Sequence, residues 1–158
     1  MEILGDFNTS VTKALSEIDS DYERLGGLVV CGTHTPHDVE EMIEKIKEAR
    51  ENGRPFLGIC FGHQLAAIEY ARNVLGIKDA TSEEFGKGTL VVKKRPWLKV
   101  GQYDGESYWS NYKVIIDFKN PKHFITVQYH PEYQSSVDKP HPILVKFLDL
   151  CRKKGVNK

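Results

Sequence analysis

"RPFLGICFGHQLAAIEYARNVLG" (residues 54–76) decides how this chain folds. Phe56–Ile59 is a short apolar run of the kind found in a strand covered on both faces. From Phe61 onward, apolar residues recur at helical spacing until Gly76 closes the segment. Between the two runs lies Gly58-Ile59-Cys60-Phe61-Gly62, which has the glycine-x-nucleophile-x-glycine form of a nucleophile elbow. A strand that turns at once into a helix strains its middle residue and pushes that side chain out of the turn. Glycines two positions to either side remove the Cβ atoms that would strike the neighbouring backbone. The following helix N-terminus favours thiolate over thiol, and the Phe61 amide faces the place where an oxyanion would form. A buried cysteine at a glycine-flanked strand end fits the bare pattern equally well.

Working outward, "GGLVVCG" (26–32) is a second buried strand, and "TPHDVEEMIEKIKEAREN" (35–52) a helix. Thr35 is the expected N-cap, Pro36 the first helical residue and Gly53 the stop. "EIL" (2–4) is a short first strand, and Ser10 is a candidate cap for a helix through Val11, Ala14, Leu15 and Ile18. From Thr89 the pattern changes to β segments, "TLVVK", "YKVIIDF" and "HFITVQY", before a closing helix from Pro142 and a solvated "RKKGVNK" tail. Alternating strands and helices predict an α/β fold. Its central sheet is mixed but mainly parallel, with helices on both faces and right-handed crossovers. Residues 1–158 read as a single domain. Between "EIL" and "GGLVV" there is room for one helix, so these two strands should pair directly. The edge left on "EIL" is expected to be polar and twisted, or covered by a partner or a second copy.

Composition narrows the function. Basic and acidic residues balance at 22 each, which gives no electrostatic reason to expect nucleic acid or a membrane surface as partner. No apolar run approaches a membrane span, and "MEILGDF" lacks the pattern of a signal sequence. Cys31, Cys60 and Cys151 are odd in number and show no metal-type CxxC spacing, so free thiols in a reducing cytoplasm are expected. Neither a metal nor a cofactor is expected, and no glycine-rich phosphate loop is present.

A base for Cys60 is available in "VQYHPEY" (127–133). His130 follows an apolar strand, Pro131 sets the turn, and Glu132 can hold the imidazole's tautomer and stabilise its cation. With the elbow and His-Pro-Glu together, the chain resembles the class I, triad-type glutamine amidotransferases, and most closely the amidotransferase part of CTP synthases. "EYARNVLG" and "SEEF" are typical of that branch. The resemblance implies a shortened, flavodoxin-like core and a glutaminase with Cys60, His130 and Glu132 as catalytic residues. Main-chain groups of Phe61, Thr33 and Gly32 would form the oxyanion site, and Gln64 and Glu84 would contact the amino-acid end of glutamine. Ammonia would pass to a separate synthetase or ligase chain, CTP synthase-like nucleotide amination being one destination, and self-association is one further expectation.

Two departures from the family pattern stand out. Where the family's oxyanion loop reads Pro-Gly-Gly, this chain has Cys31-Gly32-Thr33. Where basic residues should help to hold the substrate carboxylate, it has Trp109-Ser110-Asn111. Alternative readings follow: a catalytically weakened homologue acting as a binding or regulatory protein, or a hydrolase of γ-glutamyl compounds.

Overall fold

The computed structural model describes residues 1–103 and 105–156. Four short strands form the central sheet: β1 (Glu2–Leu4), β2 (Leu28–Val30), β3 (Phe56–Ile59) and β7 (Phe124–Val127), side by side in that order and all parallel. Their alternating side chains build two core layers. Leu28, Val30 and Phe56 face α2 (Val39–Asn52) and α3 (Phe61–Asn73), whereas Val29, Leu57 and Ile59 face α1 (Asn8–Ile18) and α4 (Pro142–Val156). This is the expected α/β fold with a mainly parallel sheet between helices. The antiparallel part lies in a second sheet of β4 (Ala80–Ser82), β5 (Thr89–Tyr103) and β6 (Glu106–Val114). Val91, Val92, Tyr112 and Val114 of that sheet pack into the same core layer as α3.

As expected, β1 pairs directly with β2. Residues 19–25 hold only a 3-10 turn, Tyr22–Arg24, so β1 is the sheet edge. The crossovers differ from expectation. The chain steps from β1 to β2 to β3 in one direction, yet α1 and α2 cover opposite faces. Successive parallel crossovers with that geometry have opposite hands, so one departs from the right-handed rule. Without an edge strand outside β1, the chain leaves α1 straight for β2, and α1 stays on its own face.

Element boundaries moved for identifiable reasons. α2 starts at Val39, with Asp38 as N-cap, rather than at Pro36 with Thr35 as N-cap, because Thr33, His34 and His37 are bound to Asp6, and Asp38 adopts a left-handed φ of 52°. Ser10 lies inside α1, whose N-cap is Phe7. β6 covers "ESYWSNYKV" instead of "YKVIIDF", since pairing with the long β5 outweighs the stronger apolar run, with Ile116 and Phe118 packing on the core beyond the strand. α4 continues through the expected tail to Val156; Asn157 and Lys158 lie outside the described residues.

Candidate active site

The turn from β3 into α3 carries the strain expected of an elbow. Cys60 has φ 55° and ψ −98°, a positive-φ conformation that costs a non-glycine residue roughly 1–3 kcal/mol. Its N–H donates to the Val127 carbonyl at 2.8 Å, and its carbonyl accepts from Gln64 N–H at 3.2 Å, so both sides of the residue are held. The flanking glycines are required by backbone proximity. A Cβ on Gly62 would lie 2.0 Å from the Val30 carbonyl oxygen, and one on Gly58 would lie 2.9 Å from the Gly62 carbonyl. The half-buried Cys60 side chain stands at the start of a 13-residue helix.

β7 stops at Val127, short of the apolar run, and the chain bends through Gln128 and Tyr129 to His130, which precedes the 3-10 turn Pro131–Gln134. His130 Nδ1 lies 3.3 Å from Glu132 Oε1 and 3.5 Å from Oε2, a long contact for a carboxylate–imidazole pair. The Glu132 side chain is fully buried, and its Oε1 accepts no hydrogen bond among the described residues. Burial opposes charge on His130, but its interactions with the neighbouring Cys60 and with the Glu132 carboxylate push its pKa up to about 10. Tyr133 stacks on the imidazole at 5.1 Å, and Phe7 meets it edge-on at 5.9 Å.

Gly32 closes against this group: a Cβ there would lie 2.7 Å from His130 Cε1. Thr33 follows, and its N–H has no acceptor among the described residues. Phe61 is buried at the first position of α3, with its ring edge-on to Phe85. Gln64 is one turn further on and buried, and its Oε1 has no hydrogen-bond partner among the described residues. The adjacent acids Glu83 and Glu84 are equivalent in sequence but not in structure. The Glu83 carboxylate accepts the Lys94 N–H of β5, whereas the Glu84 carboxylate makes no hydrogen bond or ion pair among the described residues, and burial raises its pKa. The structure therefore brings Gly32, Cys60 and the His130–Glu132 pair together, and places Glu84 in the turn beside Phe85 without a polar contact to them. Trp109, Ser110 and Asn111 lie on β6, with Trp109 opposite Lys99 of β5.

The other two thiols differ from Cys60. Cys31 is buried and donates to the Leu4 carbonyl at 3.1 Å; burial above all, with the nearby Glu132 charge, pushes its pKa up to about 12. Burial does the same to Cys151. Three features escaped the sequence reading. Gln128 Nε2 donates to Cys60 Sγ at 3.5 Å. A cavity of about 230 Å³ beside His130 is lined by Trp97, Tyr108, Trp109, Tyr129 and Tyr133. Asp6 and Phe7 embrace the loop after β2. The only sequence signal for the last feature was a glycine, Gly5, directly after a three-residue strand. Among the described residues no group of three or more His, Cys, Asp or Glu side chains could hold a metal ion, and no helix is long and apolar enough to cross a membrane.

Comparison with known proteins places these features in context. Residues 6–116 match the family model for class I glutamine amidotransferases; the matched stretch contains Gly32, Cys60, Gln64 and Glu84 and ends before His130. The CTP synthase of Methanoculleus marisnigri is 30% identical over 185 aligned positions, covering 84% of this chain and 35% of that protein. That of Encephalitozoon cuniculi is 33% identical over 180 positions, covering 78% and 33%. The chain thus spans about a third of the length of these curated relatives. Among solved structures, the glutaminase domain of Trypanosoma brucei CTPS with bound acivicin superposes with a TM-score of 0.76 at 20% identity, covering 96% of this chain and 93% of that one. That likeness concerns the fold.

Proposed function

The chain belongs to the class I glutamine amidotransferase family, with a domain like that of CTP synthase, and from that premise we propose that it releases ammonia from the side-chain amide of glutamine through Cys60, His130 and Glu132. The observation that supports this reading most is the strained Cys60 at the head of α3, close to a His130 whose Nδ1 faces the buried Glu132.

In the proposed reaction the Cys60 thiolate attacks the amide carbon of glutamine. The oxyanion that forms is met by main-chain N–H groups at Phe61 and the Gly32–Thr33 loop. His130 gives its proton to the leaving nitrogen, ammonia departs, and a γ-glutamyl thioester remains on Cys60. His130 then takes a proton from water, which attacks the thioester and releases glutamate. Glu132 keeps the imidazole in one tautomer and orientation throughout. Gln64 and Glu84 are assigned to the amino-acid end of the substrate. We further propose that residues 1–158 form one domain, that ammonia is used by a synthetase or ligase, and that the free thiols suit the cytoplasm.

The reading of a weakened homologue that binds without turnover is favoured by two positions, Thr33 in the oxyanion loop and Asn111 where a carboxylate-holding base is expected. Ammonia release from glutamine separates the two. Under the glutaminase reading the parent chain produces ammonia, Cys60→Ala abolishes it, and Cys31→Ala keeps most of it. Absence of release from the parent, alone and beside its synthetase, supports the binding protein instead.

A further inference from the structure

The segment Gly5-Asp6-Phe7, between β1 and α1, grips the loop that follows β2. Gly5 has φ 115°, and a Cβ there would lie 2.7 Å from Cys31 Sγ and 2.8 Å from the Cys31 carbonyl oxygen, so the chain turns directly against the end of β2. Phe7 N–H then donates to the Gly32 carbonyl at 3.1 Å, and its ring lies edge-on to His34 at 4.4 Å. Between them, the Asp6 carboxylate takes three donors from the loop. Thr33 Oγ1 donates to Oδ2 at 2.5 Å, His34 N–H donates to Oδ2 at 3.0 Å, and His37 Nε2 lies 2.9 Å from Oδ1. His37 Nδ1 lies 3.0 Å from Asp38, so both ring nitrogens face carboxylates, an arrangement that the imidazolium satisfies.

Thr33 stands where the family carries a second glycine, its N–H has no acceptor among the described residues, and the Gly32 before it packs against His130. A residue with a Cβ offers its amide in one orientation only if something fixes the peptide. We infer that Asp6 is a positioning residue for the oxyanion loop, holding Thr33 by its hydroxyl and the next peptide by the His34 N–H so that the Thr33 N–H is presented to the substrate oxygen. The loss of a glycine and the presence of a carboxylate on the opposite turn are, on this view, one adaptation. The inference rests on the glutaminase reading for what the loop stabilises, and on geometry alone for how the loop is held.

An oxyanion donor acts mainly in the transition state, and losing one costs roughly 10²- to 10³-fold in kcat. Asp6→Ala misplaces such a donor rather than deleting it, so a fall in kcat of about 30-fold is expected, with KM for glutamine changed less than about threefold. Thr33→Val, which removes the hydroxyl, should fall similarly, and the double variant no further than either alone. Asp6→Ala combined with Thr33→Gly should regain part of the rate, because glycine can take the required orientation unaided. Alkylation of Cys60 by iodoacetamide, which needs no oxyanion donor, should stay at the parent rate in every variant. A parent-like kcat for Asp6→Ala, strictly multiplicative effects in the double variant, or a common loss of kcat and alkylation without rescue by Thr33→Gly would overturn the inference. If the parent releases no ammonia, the glutaminase reading fails by itself. Amide hydrogen exchange then tests the grip: Asp6→Ala should speed exchange over residues 33–37 at least tenfold while leaving 61–65 as in the parent, and unchanged exchange over 33–37 overturns it.

Discussion

His130 shows how a few contacts set the chemistry of one residue. Its raised pKa means that folding binds a proton more tightly than the unfolded chain does, so the associated stability is fully present below the unfolded value near 6.5. It is lost as pH rises through about 10. At neutral pH the imidazole is therefore a cation beside the Glu132 carboxylate. Glu132→Gln removes that carboxylate. The His130 titration midpoint, followed by NMR of its Cε1 proton, should drop by more than one unit. Ammonia release should fall by roughly 10⁴-fold, the loss seen when the carboxylate of such a triad is neutralised. A parent His130 that titrates near its ordinary value would contradict this account of the site.

At the scale of elements, one buried ion pair ties α2 to α3. Glu69 is 1% exposed and accepts Arg50 Nε at 2.6 Å and Nη2 at 3.0 Å, with Asn73 Nδ2 at 2.8 Å. Removing one partner strands a buried charge, so Arg50→Ala should lower the unfolding free energy by about 3 kcal/mol in urea titration. The double change Arg50→Met with Glu69→Leu should cost far less, because no unpaired charge remains.

The boundaries of these elements also show what could be read from residues alone. β2 and β3 were legible, since unbroken apolar runs between glycines have few other uses, and so was the Gly58–Gly62 turn. The start of α2 was not. Thr35-Pro36 is a good local helix start, and it lost to contacts from Asp6, nearly thirty residues earlier in the chain. β6 was placed too late for a similar reason, because its polar outer face hides the alternation that pairing with β5 reveals. At the site, Cys60, His130 and Glu132 could be singled out from spacing. Asp6, Phe7 and Gln128 could not, because they matter only through contacts across the fold.

Across the whole molecule, the second sheet shares its core with α3, since Val91, Val92, Tyr112 and Val114 lie in the layer that holds Leu65 and Ile68. Both tryptophans, Trp97 and Trp109, belong to the β5–β6 hairpin. Tryptophan fluorescence thus reports the second sheet, while far-ultraviolet circular dichroism reports mainly the helices. If residues 1–158 are one domain, the two signals should follow a single unfolding transition in urea. Separate midpoints would mean that the hairpin folds on its own.

The central claim, that Cys60 is the nucleophile for glutamine, is tested most directly by peptide mass spectrometry after treatment with a diazo-ketone analogue of glutamine. The diazo carbon takes a proton, and attack by the thiolate then expels dinitrogen and leaves a stable thioether on the attacking sulfur. The expected result is one adduct per chain, on the peptide bearing Cys60. Glutamine should suppress it, and Cys31 and Cys151, whose thiols burial keeps protonated, should stay unmodified. An unmodified Cys60, or labelling of all three thiols that glutamine does not protect against, would contradict the claim.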